Sequence, residues 1–421
     1  MSLYSGSNDP LSYGSASRAI QWTEVVSNPS APNGASQIQM RWKSSDSRLF
    51  VPSASYVVLK LSLGANQTAS PLEGQVNSFP AHRLFQRMQY SIDSMRVESN
   101  DDCSSIASCY SDLNLSFAGS KTHNAAMNKQ GVLEALNSNE ITLIFQPHLS
   151  VWSLNYGIPG GEHSLVLFPK AATGGADFMN SIYNSFAAAT AATTVGVLDG
   201  EVGLPGTTIT GVDPGITAAT GCTISSCSLM AAFASPQAPA SLQGVRTHLL
   251  STYNVQTHEP GEAFVSTTYT IPASTYAVTM FCVTKATLAA EMTGAVSCAT
   301  SGLMNYSLRY GSNIYPFSPY SDLRTTDALR SYVDTVASRN MLEEGDEFTR
   351  TFDAWKVSPV FQHRIFVSAG DSPTQLHLRA SFASAALGQA TRMILVMHSH
   401  EQLSLEYANQ ELQAVDITPI V

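Results

Sequence analysis

The sequence predicts an all-β protein built as two tandem eight-stranded antiparallel jelly rolls, with short helices in the loops. Three observations carry that prediction. Met88-Gln89-Tyr90-Ser91-Ile92-Asp93 and Met304-Asn305-Tyr306-Ser307-Leu308-Arg309 share one order of apolar and polar positions, and their flanks agree. Tyr56 to Leu63 precedes the first copy and Tyr276 to Val283 the second, so the copies are offset by about 216 to 221 residues, roughly half the chain. Short segments alternating with the period of a strand recur through both halves. A helix-like segment follows each copy: 101–113, opened by Asp101-Asp102, and 322–339, with Thr326-Asp327 as its cap. A helix inserted at the same place in each half suits a jelly roll of two packed sheets and does not suit a meandering barrel.

In chain order, residues 1–35 are rich in Ser, Gly, Asn and Pro and are expected to form an N-terminal arm, with Trp22 anchored on a neighbour or on its own domain. Gln37 to Trp42 alternates strictly, placing Ile38, Met40 and Trp42 inward. Ser55 to Leu63 turns Val57, Leu59, Leu61 and Leu63 in and Lys60 and Ser62 out. Ile141 to Phe145 and Ser164 to Phe168 give two further strands, bracketing the turn-rich stretch Tyr156 to Glu162. Residues 171–224 are dominated by Ala, Thr and Gly and are expected to form a long surface excursion. Strands resume at Cys227 to Phe233 and Val245 to Tyr253, and the boundary between rolls is expected near His258 to Glu262, giving a first roll over 36–258 and a second over 259–421. The second half has a shorter excursion around 286–301. Its late strands are plain: Leu376, Leu378, Ala380 and Phe382 alternate with polar residues, and Met393 to Met397 is continuously apolar.

Length and composition bound the function. A chain of 421 residues suits two sandwich domains of about 200 residues each. Only 13% of residues are charged, against about 25% in an average soluble protein. Such a surface fits either extensive contact with neighbours, since interface cores are depleted of charge, or an uncharged monomeric secreted domain. The net charge of −10 and the lack of any Lys/Arg run argue against direct nucleic-acid binding. No apolar run approaches the 18 or so residues of a membrane span, and the N-terminus lacks the basic and apolar regions of a secretory signal. Six cysteines, Cys103, Cys109, Cys222, Cys227, Cys282 and Cys298, show no zinc spacing and are expected as free thiols. Cys222 and Cys227 lie near enough in sequence to bridge, so whether they pair stays open. Sequons at Asn66, Asn114 and Asn305 are not expected to be glycosylated, since Asn305 falls within a strand.

Candidate chemistry is sparse. His398 and His400 share one strand face at i and i+2, a spacing that can chelate a metal, but no third ligand accompanies them and edge or interface histidines explain them as well. Glu343, Glu344, Asp346 and Glu347 suggest a calcium loop or a glycosidase pair, yet lack the alternating oxygen spacing of the former; a solvated loop accounts for them. Gly157 to Gly161 is followed by no Lys-Ser or Lys-Thr, so a phosphate cradle is disfavoured. Neither a G-x-S-x-G elbow nor an H-E-x-x-H pair occurs. The expectation is a non-enzymatic protein without catalytic, cofactor-binding or metal-binding residues, and without a cofactor.

The run Leu308-Arg-Tyr-Gly-Ser-Asn-Ile-Tyr-Pro-Phe-Ser-Pro-Tyr320, a strand, a Tyr-Gly turn, then Tyr-Pro and Pro-Tyr leading to a helix at Ala328 to Val333, resembles the second-roll signature of double jelly-roll major capsid proteins of the adenovirus and tectivirus lineage. It is most similar to the polinton-like virus and virophage members. The closing pattern, Gln375 to Phe382 followed by Met393 to Tyr407, also resembles that family's last strands, so the matches cover mainly 260–410, and the excursion 171–224 departs from the family pattern. The resemblance implies a structural viral coat protein of the virion. It would form a homotrimer with the outline of a pseudo-hexameric capsomer, tile an icosahedral shell, and contact neighbouring capsomers and minor capsid proteins. Alternatives are a minor or vertex capsid protein and a tandem β-sandwich carbohydrate-active or glycan-binding protein. The last two would want a carboxylate cleft or a secretory signal with exposed Trp platforms.

Overall fold

The computed structural model describes residues 17–30, 32, 35–62, 80–103, 105–107, 140–154, 157–170, 223–236, 244–272, 274–284, 295–342, 351–366, 375–408 and 411–419. Of the expected excursion 171–224, residues 171–222 lie outside these residues, as do the acidic cluster Glu343 to Glu347, Cys109, Cys222 and the sequons at Asn66 and Asn114, while Thr223 and Ile224 already belong to a strand.

The first half runs β1 (Ser17–Val26), β2 (Ile38–Lys43), the short β3 (Leu49–Phe50), β4 (Tyr56–Ser62), α1 (Pro80–Arg83), β5 (Phe85–Ile92), β6 (Met95–Asn100), β7 (Glu140–Phe145), β8 (Glu162–Pro169) and β9 (Thr223–Pro236). The second runs β10 (Gly244–His258), β11 (Phe264–Thr270), β12 (Thr275–Thr284), α2 (Cys298–Ser301), β13 (Leu303–Tyr310), β14 (Asn313–Tyr315), α3 (Ala328–Leu342), α4 (Phe352–Val357), β15 (Phe361–Arg364), β16 (Gln375–Phe382), α5 (Ala385–Gln389), β17 (Thr391–Ala408) and β18 (Glu411–Pro419). Hydrogen bonding orders them into four antiparallel sheets, β1-β9-β4-β7 and β2-β8-β5-β6, then β10-β17-β12-β15 and β11-β16-β13-β14. Lettering the eight principal strands of each half B to I in chain order, both halves read B-I-D-G over C-H-E-F, which is the wiring of a jelly roll.

The alternation that predicted the strands is what fills the cores. Ile38, Met40, Val57, Leu59, Leu61, Met88, Tyr90 and Ile92 line the first, all 0% exposed. Leu308, Leu376, Leu378, Met393, Leu395 and Met397 line the second, also 0% exposed. Each such side chain contributes roughly 1.5–3 kcal/mol by leaving water. Cys282 packs among Val278 and Met280 as a small hydrophobe, and Cys103, Cys227, Cys282 and Cys298 are free thiols. Gly302 closes α2 with φ of 74°, and a Cβ there would meet Leu387 Cβ at 2.8 Å, so both conformation and space call for glycine.

Two expectations differ from what the strands do. Residues 17–26, expected within the N-terminal arm, form β1 and pair with β9 from Ser17–Pro236 to Val26–Ser228. Their polar residues hid the strand: Gln21 and Thr23 stand opposite Phe233 and Ala231, whose side chains are buried, so no clean alternation was visible. Residues 244–258, expected on the first roll's side of a boundary near 258, pair along their whole length with β17, as the B strand beside the I strand of the second roll.

The rolls are tied together in two ways. β17 turns Met393, Leu395 and Met397 into the second core, and further along the same face Leu403, Leu405 and Tyr407 enter the first. Leu250 of β10 lies in the first core as well, and Leu412, Val415 and Ile417 of β18 pack against it. A third apolar cluster joins the rolls directly: Ile106 and Ala107, following β6, lie with Phe281, Val283, Ile394 and Val396 on the outer face of β12 and β17.

Candidate functional site

The polar groups of possible chemical interest lie inside the sandwiches. His163 on β8 is wholly buried, with Nδ1 2.6 Å from Tyr90 Oη and Nε2 2.7 Å from Ser44 Oγ. Ser44 spends its one proton on the Gly160 carbonyl at 2.8 Å, so Nε2–H must donate to Ser44 and Nδ1 must accept from Tyr90. Burial among Trp42, Phe50 and Tyr90 pushes the His163 pKa down to about 3, fixing the neutral ring. The second roll repeats the motif on a different strand: Tyr306 Oη lies 2.6 Å from His363 Nε2 on β15, and burial lowers His363 to about 4. Tyr90 and Tyr306 occupy matching places in the internal repeat. Sealed from solvent, each pair satisfies a core phenol and offers a substrate no access.

His398 and His400, the metal-ligand candidates, do share a face, both rings meeting Tyr276. His398 is 2% exposed with Nε2 2.8 Å from Thr279 Oγ1, while His400 stacks on Tyr276 at 3.9 Å with Ser251 Oγ at 3.4 Å. Among the described residues no group of three or more His, Cys, Asp or Glu side chains could hold a metal. Gly157 to Gly161 packs against other parts of the chain: Tyr407 Oη donates to the Pro159 carbonyl at 2.9 Å, and Leu412 lies against Gly161. Asn305, the sequon residue, sits on β13 with Oδ1 accepting from Ser381 Oγ at 2.8 Å.

Sequence reasoning missed Glu98 on β6. It is 4% exposed, and its carboxylate accepts from Ser150 N–H at 2.8 Å, Ser150 Oγ–H at 2.8 Å and Val151 N–H at 3.2 Å, capping the 3₁₀ turn Ser150–Ser153. Burial raises its pKa to about 7 against these donors, and Glu401 on β17 pushes it the same way as burial. Its signal in the sequence was faint: β6 reads Met95-Arg-Val-Glu-Ser-Asn100, polar at four of its six positions, so nothing set Glu98 apart as buried.

No family model matches the sequence, and no curated protein matches it. Solved structures do match. The mavirus major capsid protein superposes with a TM-score of 0.51 at 10% identity, over 100% of this chain and 93% of its own. The PBCV-1 virus capsid does so with 0.55 at 10% identity, over 94% and 97%. The Faustovirus major capsid protein gives 0.51 at 9% identity, over 100% and 93%. The fold is the double jelly roll of viral major capsid proteins.

Several large apolar side chains of this double jelly roll lie at its surface. Trp22, the expected anchor, tucks onto its own roll, Nε1 donating to the Ala54 carbonyl at 3.0 Å, yet keeps half its ring in solvent. Phe317, Phe264, Leu329 and Val333 are more than half exposed. The described residues contain no helix long and apolar enough to cross a membrane.

Proposed function

We propose that the chain is the major capsid protein of a virus, a structural and non-enzymatic subunit that trimerises into pseudo-hexameric capsomers tiling an icosahedral shell. The observation that carries the reading is the double B-I-D-G over C-H-E-F wiring, shared nearly end to end with solved major capsid proteins. The low charge content supports it, because a subunit enclosed by neighbours needs little charge for solubility. Two similar lobes per chain give six lobes around a threefold axis, hence the near-hexagonal outline of the proposed capsomer. We divide the chain within 237–243, between β9 and β10, since that is where strand pairing passes from one roll to the next. The proposed partners are further copies of the chain, neighbouring capsomers and minor capsid proteins in the virion.

Light scattering on the purified protein at micromolar concentration tests the central step. A mass of three chains is expected, with plates of hexagonal outline in negative stain; a monomer would sink the capsomer reading.

A further inference from the structure

The polarity of α3 is reversed relative to a helix lying on a domain surface. Its inward face carries Ala328, Ser331, Thr335 and Ser338, all buried. Ser331 Oγ and Thr335 Oγ1 donate to the carbonyls of Ala328 and Ser331, at 2.8 and 2.9 Å, so these polar groups are satisfied by their own helix. Leu329 and Val333, one turn apart, are 57% and 54% exposed, and Ala337 is exposed one turn further on. A surface helix ordinarily turns its apolar stripe to the core.

The first roll contains the element that corresponds to α3, with its outer side occupied. After β6, the F strand, a helical turn starts at Asp102, which caps Ser105 N–H at 3.0 Å. Cys103 enters the first roll's own core, while Ile106 and Ala107 cover the outer face of the second roll's B-I-D-G sheet, burying Phe281, Val283, Ile394 and Val396. α3 follows β14, the F strand of the second roll. It too is held to its own roll on one side, through Tyr332, but Leu329 and Val333 belong to no apolar cluster of the described residues and stay 57% and 54% exposed.

The surface to match it is on the first roll. The outer face of its B-I-D-G sheet presents Val58, Met230 and Ile144, each partly buried, with Trp22 and Val26 of β1 beside them at 50% and 59% exposure. This is the face whose counterpart in the second roll is buried under Ile106 and Ala107. The charges on this face are Glu24, between Trp22 and Val26 and opposite Met230, and Lys60, which at one end is paired with Glu140 at 3.3 Å. Arg330 on α3 is likewise engaged by Asp327 and Asp334.

We infer that Leu329 and Val333 of α3 seat on Val58, Met230 and Ile144 of a second copy of this chain, repeating between copies the roll-to-roll contact that Ile106 and Ala107 make within one. The inference rests on the trimer reading above. The contact is head-to-tail: every copy offers one helix and one sheet face, and the ring closes at three copies when each roll is turned a sixth of a circle from the last.

The test is light scattering across a dilution series of the full chain. Leu329→Asp with Val333→Asp, and separately Val58→Asp with Met230→Asp, are each expected to run as monomers where the wild type is a trimer, with far-ultraviolet circular dichroism unchanged. The gentler pair Leu329→Ser with Val333→Ser guards against misfolding and is expected to raise the concentration at half-dissociation at least tenfold. A trimeric wild type whose variants dissociate at the same concentration would overturn the proposed contact while leaving the capsomer intact. A monomeric wild type would overturn the capsomer reading itself.

Discussion

Glu98 is a residue whose ionisation the fold controls by burial. In the unfolded chain its carboxyl titrates near 4.5; in the folded chain burial holds it at about 7, against the pull of the Ser150 and Val151 donors. Between those values the folded state binds the proton more tightly. The stability Glu98 contributes is therefore fully present below pH 4.5 and is lost as pH rises to about 7, by roughly 3 kcal/mol. His163 and His363, with lowered pKa values, act in the opposite sense, losing stability as pH falls below about 6.5 toward their folded values. Urea unfolding of wild type and Glu98→Gln across pH 4.5 to 7.5 separates the two effects. The difference in unfolding free energy between the two proteins is expected to change by roughly that 3 kcal/mol; a constant difference would mean that the three donors keep the carboxylate ionised throughout. At this scale, what could be read from the sequence followed one rule. Leu308 and Tyr306 were placed inward by alternation and are buried, whereas the partners of Tyr90 and Tyr306, His163 and His363, come from strands 73 and 57 residues away, a distance that no local pattern spans.

Elements were legible where one face is wet and the other dry. β2, β4 and β16 meet that condition and fall within a residue or two of expectation, while β5 begins three residues before the expected Met88; Leu63 lies outside the described residues. β17 does not: its odd-numbered residues are apolar at Met393, Leu395 and Met397, polar at Ser399 and Glu401, and apolar again at Leu403, Leu405 and Tyr407, as the core beneath them changes from one roll to the other. α3 is the converse case: a helix was expected over 322–339 and one is present over Ala328–Leu342, but Ser and Thr take the buried side by bonding to their own carbonyls. β18 lends itself to an element-level test. It covers the Leu403 to Tyr407 end of β17 and lays Leu412, Val415 and Ile417 against the first core. Ending the chain after Ala408 is expected to lower unfolding stability by about 2–4 kcal/mol, from three half-buried side chains and a newly bare strand edge. An unchanged guanidinium midpoint would show that the strand contributes only length.

For the whole molecule, the shared strands make two domains in wiring into one in energy. β10 and β17 run past the second core onto the first, and Ile106 and Ala107 run from the first roll onto the second, so neither core is closed when its partner is unfolded. Calorimetry is expected to record one transition whose calorimetric and van't Hoff enthalpies agree, whereas independent rolls would give two. The same crossing bears on how the protein is made. Domains ordinarily fold in turn as a ribosome extends the chain at about 5–20 residues per second. Here the first roll emerges well before Leu403, Leu405 and Tyr407, which complete its apolar cover, so it must wait with part of its core exposed until nearly the whole chain has been translated. Any chain broken off before β17 thus carries an unfinished first roll, and the apolar surface left open marks it as incomplete while it is still being made.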